Sequence, residues 1–407
     1  MISVEEYTKS LTADVVALEM EVVPLVKACG RVLAAPLVAK LAVPPFANSA
    51  MDGFALHLSE EELSGCEGRS FPVVADIPAG SAPAPLPEGK AARIMTGAPI
   101  PEGATCVIPV EDTDSDPGPR PCPEQVTVQR APRWLAHIRP AGEDITAGEV
   151  GIEAGTVLTP AAVATAVSIG YAEVQAYRRP RVAIVSTGSE LTAPGQPLGP
   201  GQIPDSNSLL LAGLLPTWGA EVSGIFRATD TPDSFQSVLL EAAAVSDVVV
   251  TTGGVSAGAY DPVKELAASG QAELQFAKVN QQPGKPQGFG RIGSTKLVAL
   301  PGNPVSVFVS ATIHLRAVLA KLQGIDNAQL PMVQVPVSHA ITFGGGRRRY
   351  VPVRIGDSAE FVHARGLGSH LVASLHRANA LLVLPETGID LQPGELCPAL
   401  VLPTPLS

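Results

Sequence analysis

Aromatic residues are scarce. Phe, Tyr and Trp together make up 4% of the 407 residues, so alanine and valine must supply much of the core packing. Charge is thin as well, at 16% against 45% hydrophobic residues, a balance that allows a sizeable core spread over two to four domains. Basic residues are outnumbered, 28 Lys and Arg against 39 Asp and Glu. The resulting net charge of −11 argues against a nucleic-acid partner, whose affinity would rest on a basic surface. Anionic small substrates stay open, because a local basic cleft can sit inside an acidic protein. The five cysteines are odd in number and show no C-x-x-C spacing, which points to free thiols in a reducing compartment. The seven histidines include no H-x-x-x-H pair, which disfavours a zinc site. No apolar run approaches the roughly 20 residues of a membrane span. The opening Met1-Ile-Ser-Val-Glu-Glu6 is acidic where a signal peptide would be basic. A cytoplasmic protein without a membrane partner is expected.

Along the chain, Ser3 with Glu6 forms a capping box for a helix over 3–18, with Tyr7, Leu11 and Val15 on one face. A second apolar stretch runs over 22–38. Residues 44 to about 140 are rich in proline and glycine between short apolar runs, the pattern of a loop-rich β module, with 114–123 as an excursion. A helix over 160–170 then leads into alternating strand and helix signals. Strands 181–186, 221–227, 247–252 and 296–300 are interleaved with helices 208–218, 232–244, 262–268 and 305–322. Such alternation predicts a parallel sheet covered by helices. Beyond about 326, short strands such as 333–336, 350–354 and 380–384 predict a small all-β domain.

In an open parallel sheet, ligands collect at the carboxyl ends of the strands. Four segments fall there: Ser186-Thr-Gly-Ser-Glu-Leu191, Asp230, Thr251-Thr-Gly-Gly-Val-Ser-Ala-Gly-Ala-Tyr-Asp261, and Leu300-Pro-Gly-Asn-Pro-Val-Ser306. A glycine turn between strand and helix can offer backbone N–H groups to a phosphate, or it can simply be a tight turn that needs glycine's φ range. Asp230 and Ser306, taken alone, read as helix caps before catalysts. Gln282-Pro-Gly-Lys-Pro-Gln287 presents Lys285 from a proline-stiffened turn as a point charge for an oxyanion, or is a hairpin with solvated lysines. Asn48-Ser-Ala-Met-Asp-Gly53 lies outside the sheet region. Arg347-Arg-Arg349, after Gly344-Gly-Gly346, is either a solvated charge run or an anion grip. The residues themselves support a multidomain α/β protein that binds a phosphorylated, anionic ligand, with carboxylates placed for Mg²⁺.

These segments, in order with Arg93-Ile-Met-Thr-Gly-Ala-Pro99, Gly142-Glu-Asp-Ile145 and Asp205-Ser-Asn207, resemble one family over about residues 3–400: the molybdopterin molybdenumtransferases, which include the E domain of gephyrin. The resemblance implies four domains. An elongated segment takes 1–44 plus 141–175, a loop-rich β module 45–140, a parallel-sheet α/β pterin-binding domain 176–325, and a C-terminal β-barrel 326–407. It also implies a homodimer, with the adenylyltransferase of the preceding step as an expected partner. The implied reaction takes adenylated molybdopterin and molybdate, releases AMP, and places molybdenum in the dithiolene.

By position, Asp52, Thr96, Asp144, Glu190, Asp230 and Asp261 match functional residues of the family. Glu190 and Asp261 are assigned to nucleotide and Mg²⁺ handling, and Asp52 and Asp144 to a wall facing across the dimer. Lys278 matches a basic position. Lys285, Ser306, Arg347 and Ser369 match a proposed molybdate site, where a tetrahedral dianion needs cations and hydroxyl or backbone donors. Gly253, Gly254, Ser256, Pro301 and Asn303 complete the substrate-binding set. Two residues depart from the pattern: Gln282 stands where many relatives carry lysine, and Ser189 where aspartate or asparagine is common. The rival readings are molybdopterin adenylyltransferase, which resembles only the α/β domain, a catalytically silent scaffold of the same fold, and a generic nucleotide-binding module.

Overall fold

The computed structural model describes residues 1–229, 231–254, 273–363, 366 and 368–403. Asp230, Ser256, Asp261 and the helix expected over 262–268 lie outside them. The chain divides into two compact units. One comprises Met1–Glu21, Gly30–Ala34 and Ala176–Ser407; the other comprises Val22–Cys29 and Ala35–Gln175.

The first unit is built on a six-stranded sheet in the order Glu221–Ala228, Arg181–Thr187, Val248–Thr252, Thr295–Leu300, Pro286–Ile292, Glu273–Lys278. The first four strands are mutually parallel. The last two join by antiparallel pairing, with Pro286–Ile292 running against both of its neighbours, so the sheet is mixed rather than purely parallel. The cause is local: the link from Lys278 to Pro286 is far too short for the helical crossover a parallel pair requires. The central strands read as unbroken apolar runs because both of their faces are covered. Val182, Ile184, Val248, Val250, Val298 and Leu300 face a core shared with Leu211, Leu215 and the helix Pro304–Leu322. The alternate residues Ala183, Val185, Val249, Leu297 and Ala299 face Phe235, Leu239 and Ala242 of the Pro232–Ala244 helix.

The N-terminal helix spans Val4–Thr12, with the Ser3–Glu6 capping box in place. It is shorter than the expected 3–18 and packs into this same core through Val4, Tyr7 and Leu11. Residues 1–21 therefore group with the central sheet and not with 141–175. The burial of Tyr7, whose hydroxyl donates to Gly288 O at 3.3 Å, explains why. The Pro304–Leu322 helix is long and apolar enough to cross a membrane by length and composition, but 78% of it is buried inside the protein, as befits a core helix. After it the described residues hold strands and one short 3₁₀ turn. The antiparallel ladder Arg348–Ile355, Ala380–Leu384, Leu396–Val401, Met332–Pro336 is joined at its first strand by the two-residue strand Gln281–Gln282, in parallel.

The second unit holds a five-stranded sheet in the order Cys106–Pro109, Gly53–Leu56, Ala91–Ile94, Ser70–Ile77, Gln125–Thr127. It matches the loop-rich β module expected from the sequence. Its two faces alternate, with Phe54, Leu56 and Ile108 on one core and Ala55, Ile94 and Val107 on the other.

At the amino edge of the central sheet, Asp247 accepts from Arg178 Nη1 (2.8 Å) and Nη2 (3.1 Å) and from the Arg181 N–H (2.8 Å). Burial works against its charge, but these donors together hold its carboxyl below the ordinary aspartate value of 3.8. A carboxylate with a depressed folded pKa contributes stability above its unfolded pKa and loses it as pH falls through the folded value. Asp247→Asn should therefore cost about 2 kcal/mol near neutrality. The gap from wild type in thermal or urea unfolding should close as pH drops below 3.8. A gap that stays constant down to acid pH would show that Asp247 contributes packing alone.

Candidate functional site

The parallel strands Arg181–Thr187, Val248–Thr252 and Thr295–Leu300 end side by side, with Ser186 opposite Thr252 and Thr252 opposite Leu300. Antiparallel pairing then turns the neighbouring hairpin to the same edge. Gly288 lies opposite Ala299, and Lys278 opposite Pro286, so the Gln282–Pro286 turn stands where the parallel strands finish. Around this edge lies a cleft of about 1070 Å³.

The cleft gathers nine of the expected residues. Glu190 follows the first strand, Gly253 and Gly254 the second, and Pro301, Asn303 and Ser306 the third; Lys285, Arg347 and Ser369 complete the set. Gly253 has φ +93°, and a Cβ there would sit 2.8 Å from Thr187 Oγ1, so the turn needs glycine for both conformation and space. Its N–H donates to Leu300 O at 3.1 Å, extending the ladder by one residue, and is therefore not offered to an anion as the glycine-turn reading expected. The helix start does offer one. Pro304 has no N–H, Val305 N donates to Ser369 O (3.1 Å), and Val307 N closes the first helical bond to Asn303 O (2.9 Å). That leaves the first-turn N–H of Ser306 without a side-chain cap. Asn303 Nδ2 donates to Ser369 Oγ at 2.9 Å, tying the two hydroxyl-bearing segments together.

Lys285 and Arg347 are both half-buried, and among the described residues neither side chain has an ion-pair or hydrogen-bond partner. The adjacent Arg348, by contrast, pairs with Glu5 and Glu386. Two unpaired cations, a hydroxyl and a helix N-terminus suit a tetrahedral oxyanion. Glu190 is likewise an exposed carboxylate free of protein partners among the described residues. No cluster of three acidic, histidine or cysteine side chains that could hold a metal occurs among those residues. The donors present are hard carboxylate oxygens, which suit a cation such as Mg²⁺ over zinc, and the second acid assigned to it, Asp261, lies outside the described residues, as do Asp230 and Ser256. Lys278 is exposed at its strand end and does not line the cleft.

The sequence reading gave no role to three residues that line the cleft: Asp205, Asn207 and Thr252. Asp205 is committed as an N-cap, accepting from Ser208 N (3.1 Å) and Oγ (2.6 Å). Asn207 Nδ2 donates to Gly302 O at 2.6 Å, while its Oδ1 and Thr252 Oγ1 are buried without a partner. Unsatisfied buried acceptors beside a cleft mark groups that a ligand can complete. The available signal was the Asp205-Ser-Asn207 segment, which entered the sequence analysis only as part of the family resemblance.

In the second unit, Gly53 pairs with Ile94, which brings Asp52 and Thr96 together across 44 positions of sequence. Asp52 Oδ1 accepts from Thr96 N at 2.7 Å and Oγ1 at 2.8 Å. The backbone N–H and then the hydroxyl hold its carboxyl below 3.8. Asp52 lines a cavity of about 420 Å³ in this unit, with Arg93 and Glu111. Asp144 is exposed in a turn where its N–H donates to Val43 O at 2.9 Å. Thr96→Val removes one of the two donors to the charged form, so the Asp52 carboxyl should titrate at higher pH in that variant. A carboxyl-carbon NMR titration would detect the rise, and an unmoved titration would show the hydroxyl to be incidental.

Three family models match the chain in series. Residues 2–170 match the MoeA N-terminal region (domain I and II), 183–321 a probable molybdopterin binding domain, and 334–402 the MoeA C-terminal region (domain IV). The chain is 39% identical to molybdopterin molybdenumtransferase 2 of Mycobacterium tuberculosis (strain CDC 1551 / Oshkosh), over 97% of its own length and 98% of that protein. It is 36% identical to the molybdopterin molybdenumtransferase of a Nostoc species, over 90% of this chain and 85% of that one. Among solved structures, the molybdopterin biosynthesis moeA protein of Pyrococcus horikoshii OT3 superposes with a TM-score of 0.81 at 28% identity, covering 98% of this chain and all of that one.

Proposed function

The chain belongs to the molybdopterin molybdenumtransferase family, a family of molybdenum cofactor biosynthesis, and on that premise we propose that it takes adenylated molybdopterin and molybdate, releases AMP, and delivers molybdenum to the pterin dithiolene. The observation that carries the reading is the sheet-edge cleft, which combines an unpaired carboxylate, Glu190, with the unpaired cations Lys285 and Arg347 in one cavity large enough for a nucleotide-linked pterin. Carboxylate and cation would neutralise each other if they existed only for stability. Kept apart, they suit a substrate pair in which one partner needs a divalent cation and the other is itself an oxyanion.

Lys285, Arg347, Ser306 and Ser369 would bind molybdate, the last two through hydroxyl donors. Glu190, with Asp261 and Asp230, would serve the phosphoanhydride. Glu190 and Asp261 would hold Mg²⁺, which when bound offsets phosphate charge as the anhydride opens. Thr252 Oγ1 and Asn207 Oδ1 are free to hydrogen-bond the pterin. Asp52, Thr96 and Asp144 are assigned by family position, and the active form is expected to be a homodimer.

AMP release from adenylated molybdopterin by the purified protein, with Mg²⁺ and with or without molybdate, tests the reading. Molybdate-dependent release, with molybdenum retained in the pterin product, is expected; tight pterin binding without turnover would reassign the protein as a scaffold. Arg347→Ala should raise the molybdate concentration needed for half-maximal release by about 10-fold or more, as loss of a charge-assisted contact does, and an unchanged titration would remove Arg347 from the molybdate site. Asp261→Asn should abolish AMP release while leaving the oligomeric state intact, and wild-type turnover in that variant would end its assigned role.

A further inference from the structure

His314 is fully buried, and nothing in the proposed chemistry uses it. It lies in a π-helical segment, Ala311–Leu315, that interrupts the Pro304–Leu322 helix; such wide turns recur at functional sites. The Tyr7 ring meets it edge-on with centroids 4.7 Å apart. Thr8 Oγ1 stands 2.8 Å from His314 Nδ1, and Gln281 Oε1 stands 2.7 Å from Nε2.

The proton positions follow from the acceptors. Gln281 Nε2 donates to Pro283 O at 3.1 Å and Ser310 Oγ at 3.3 Å, and Gln287 Nε2 donates to Gly284 O at 2.7 Å and the same Ser310 Oγ at 2.6 Å. Backbone carbonyls only accept, so both amides must present their NH₂ groups to the turn. Gln281 Oε1 is thereby turned toward His314, which must carry its hydrogen on Nε2. Burial lowers the imidazole pKa to about 3, so the ring is neutral and Nδ1 is bare; the single Thr8 hydroxyl proton stands between two acceptors at 2.8 Å, Nδ1 and Val4 O. From His314 Nε2–H through Gln281 to the Pro283 carbonyl the polar groups are thus paired in one direction.

The turn these amides grip is the one that carries Lys285. It is closed by Val279 N donating to Lys285 O at 2.8 Å. It is packed so tightly that a Cβ on Gly284, at φ +89°, would lie 2.6 Å from Ser310 Oγ and 2.8 Å from Gln281 Nε2. Side chains locked from behind are what hold a binding group to sub-ångström tolerance.

We propose that His314 is a positioning residue for the oxyanion-binding turn: through Gln281 and Ser310 it sets the path of Gln282–Pro286 and so the place of the Lys285 ammonium in the cleft. The inference rests on the reading of that cleft as a molybdate site. His314→Leu keeps the core apolar and of similar volume but removes the Nε2–H donor, leaving Gln281 Oε1 unpaired. His314→Gln retains an amide donor. Ser310→Ala, a smaller change, deletes the acceptor shared by both glutamines. Val318→Ala, in the same helix and away from the turn, is the control for general loosening.

Calorimetric titration of the full-length protein with molybdate alone, the KM for adenylated molybdopterin, and hydrogen exchange at the Val279 amide test this. His314→Leu and Ser310→Ala should weaken molybdate binding and speed Val279 exchange by about 10-fold, with the pterin KM within about 2-fold of wild type. His314→Gln should recover most of both losses, and Val318→Ala should lower the unfolding temperature without either change. Should His314→Leu fail to fold, Ser310→Ala carries the test. Wild-type molybdate affinity and exchange in the folded variants would overturn the proposal, and so would equal shifts in Val318→Ala. If the wild-type protein itself binds no molybdate, the functional reading of the cleft fails, and the exchange measurement alone decides whether His314 sets the turn.

Discussion

The fixed register of three parallel strands is the constraint on which the site depends. Parallel strands must all point one way, so Thr187, Thr252 and Leu300 arrive at one edge together. The residues that follow each are placed side by side with no further design. The antiparallel hairpin completes the arrangement. Because Pro286–Ile292 runs against Thr295–Leu300, its starting end, and not its finish, lies at the same edge. A lysine at the tip of that hairpin therefore reaches the cleft, where a fifth parallel strand would have begun at the opposite end of the sheet.

Holding that edge requires a rigid floor, and here polar burial takes over from hydrophobic burial. The strands are fixed by Val, Ile, Leu and Ala packed on both faces. The Gln282–Pro286 turn has no comparable apolar grip; its fixed points are Gln281, Gln287, Ser310 and His314, all essentially inaccessible to solvent. Buried polar groups cost several kcal/mol when unpaired and rigidify a structure when paired. The network is paired throughout except at Gln287 Oε1. A restraint of this kind gives directionality that a greasy contact cannot, which fits a turn whose carbonyls and ammonium must be aimed and not merely buried.

Much of the architecture was legible because it follows from local chemistry. The Ser3–Glu6 capping box, the β–α alternation within the described residues and the strand at Ala380–Leu384 stand where their patterns put them. What escaped reading has one physical cause: it depends on partners distant in sequence. The hairpin inside the sheet, the docking of Tyr7 into the central core, and the Thr8–His314–Gln281 chain join positions up to 306 residues apart. A lone histidine in an apolar helix carries no signal of the glutamine waiting for it. The candidate site was readable in its glycine, carboxylate and lysine segments, since turns at strand ends are local. Asn207 and Thr252 were not, because only the folded structure reveals that their oxygens are left unpaired.

Several cations of this acidic protein are committed to carboxylates. Arg178 and Arg181 converge on Asp247, Arg93 is bidentate to Asp76, and Arg291 shares Asp14 with Lys296. Within Arg347-Arg-Arg349 the sorting happens residue by residue: Arg348 and Arg349 open the strand Arg348–Ile355, where successive side chains point to opposite faces, and Arg347 stands just before it. Arg348, on one face, is paired with Glu5 and Glu386. Arg349, on the other, lies 4.5 Å from the Phe343 ring centroid. Arg347 lines the cleft with no ion-pair partner among the described residues. With 39 acidic residues available against 28 basic ones, a cation left unpaired is not explained by a shortage of counterions. What marks Arg347 and Lys285 is their place together, half-buried at the cleft, where a ligand bearing negative charge would pair both.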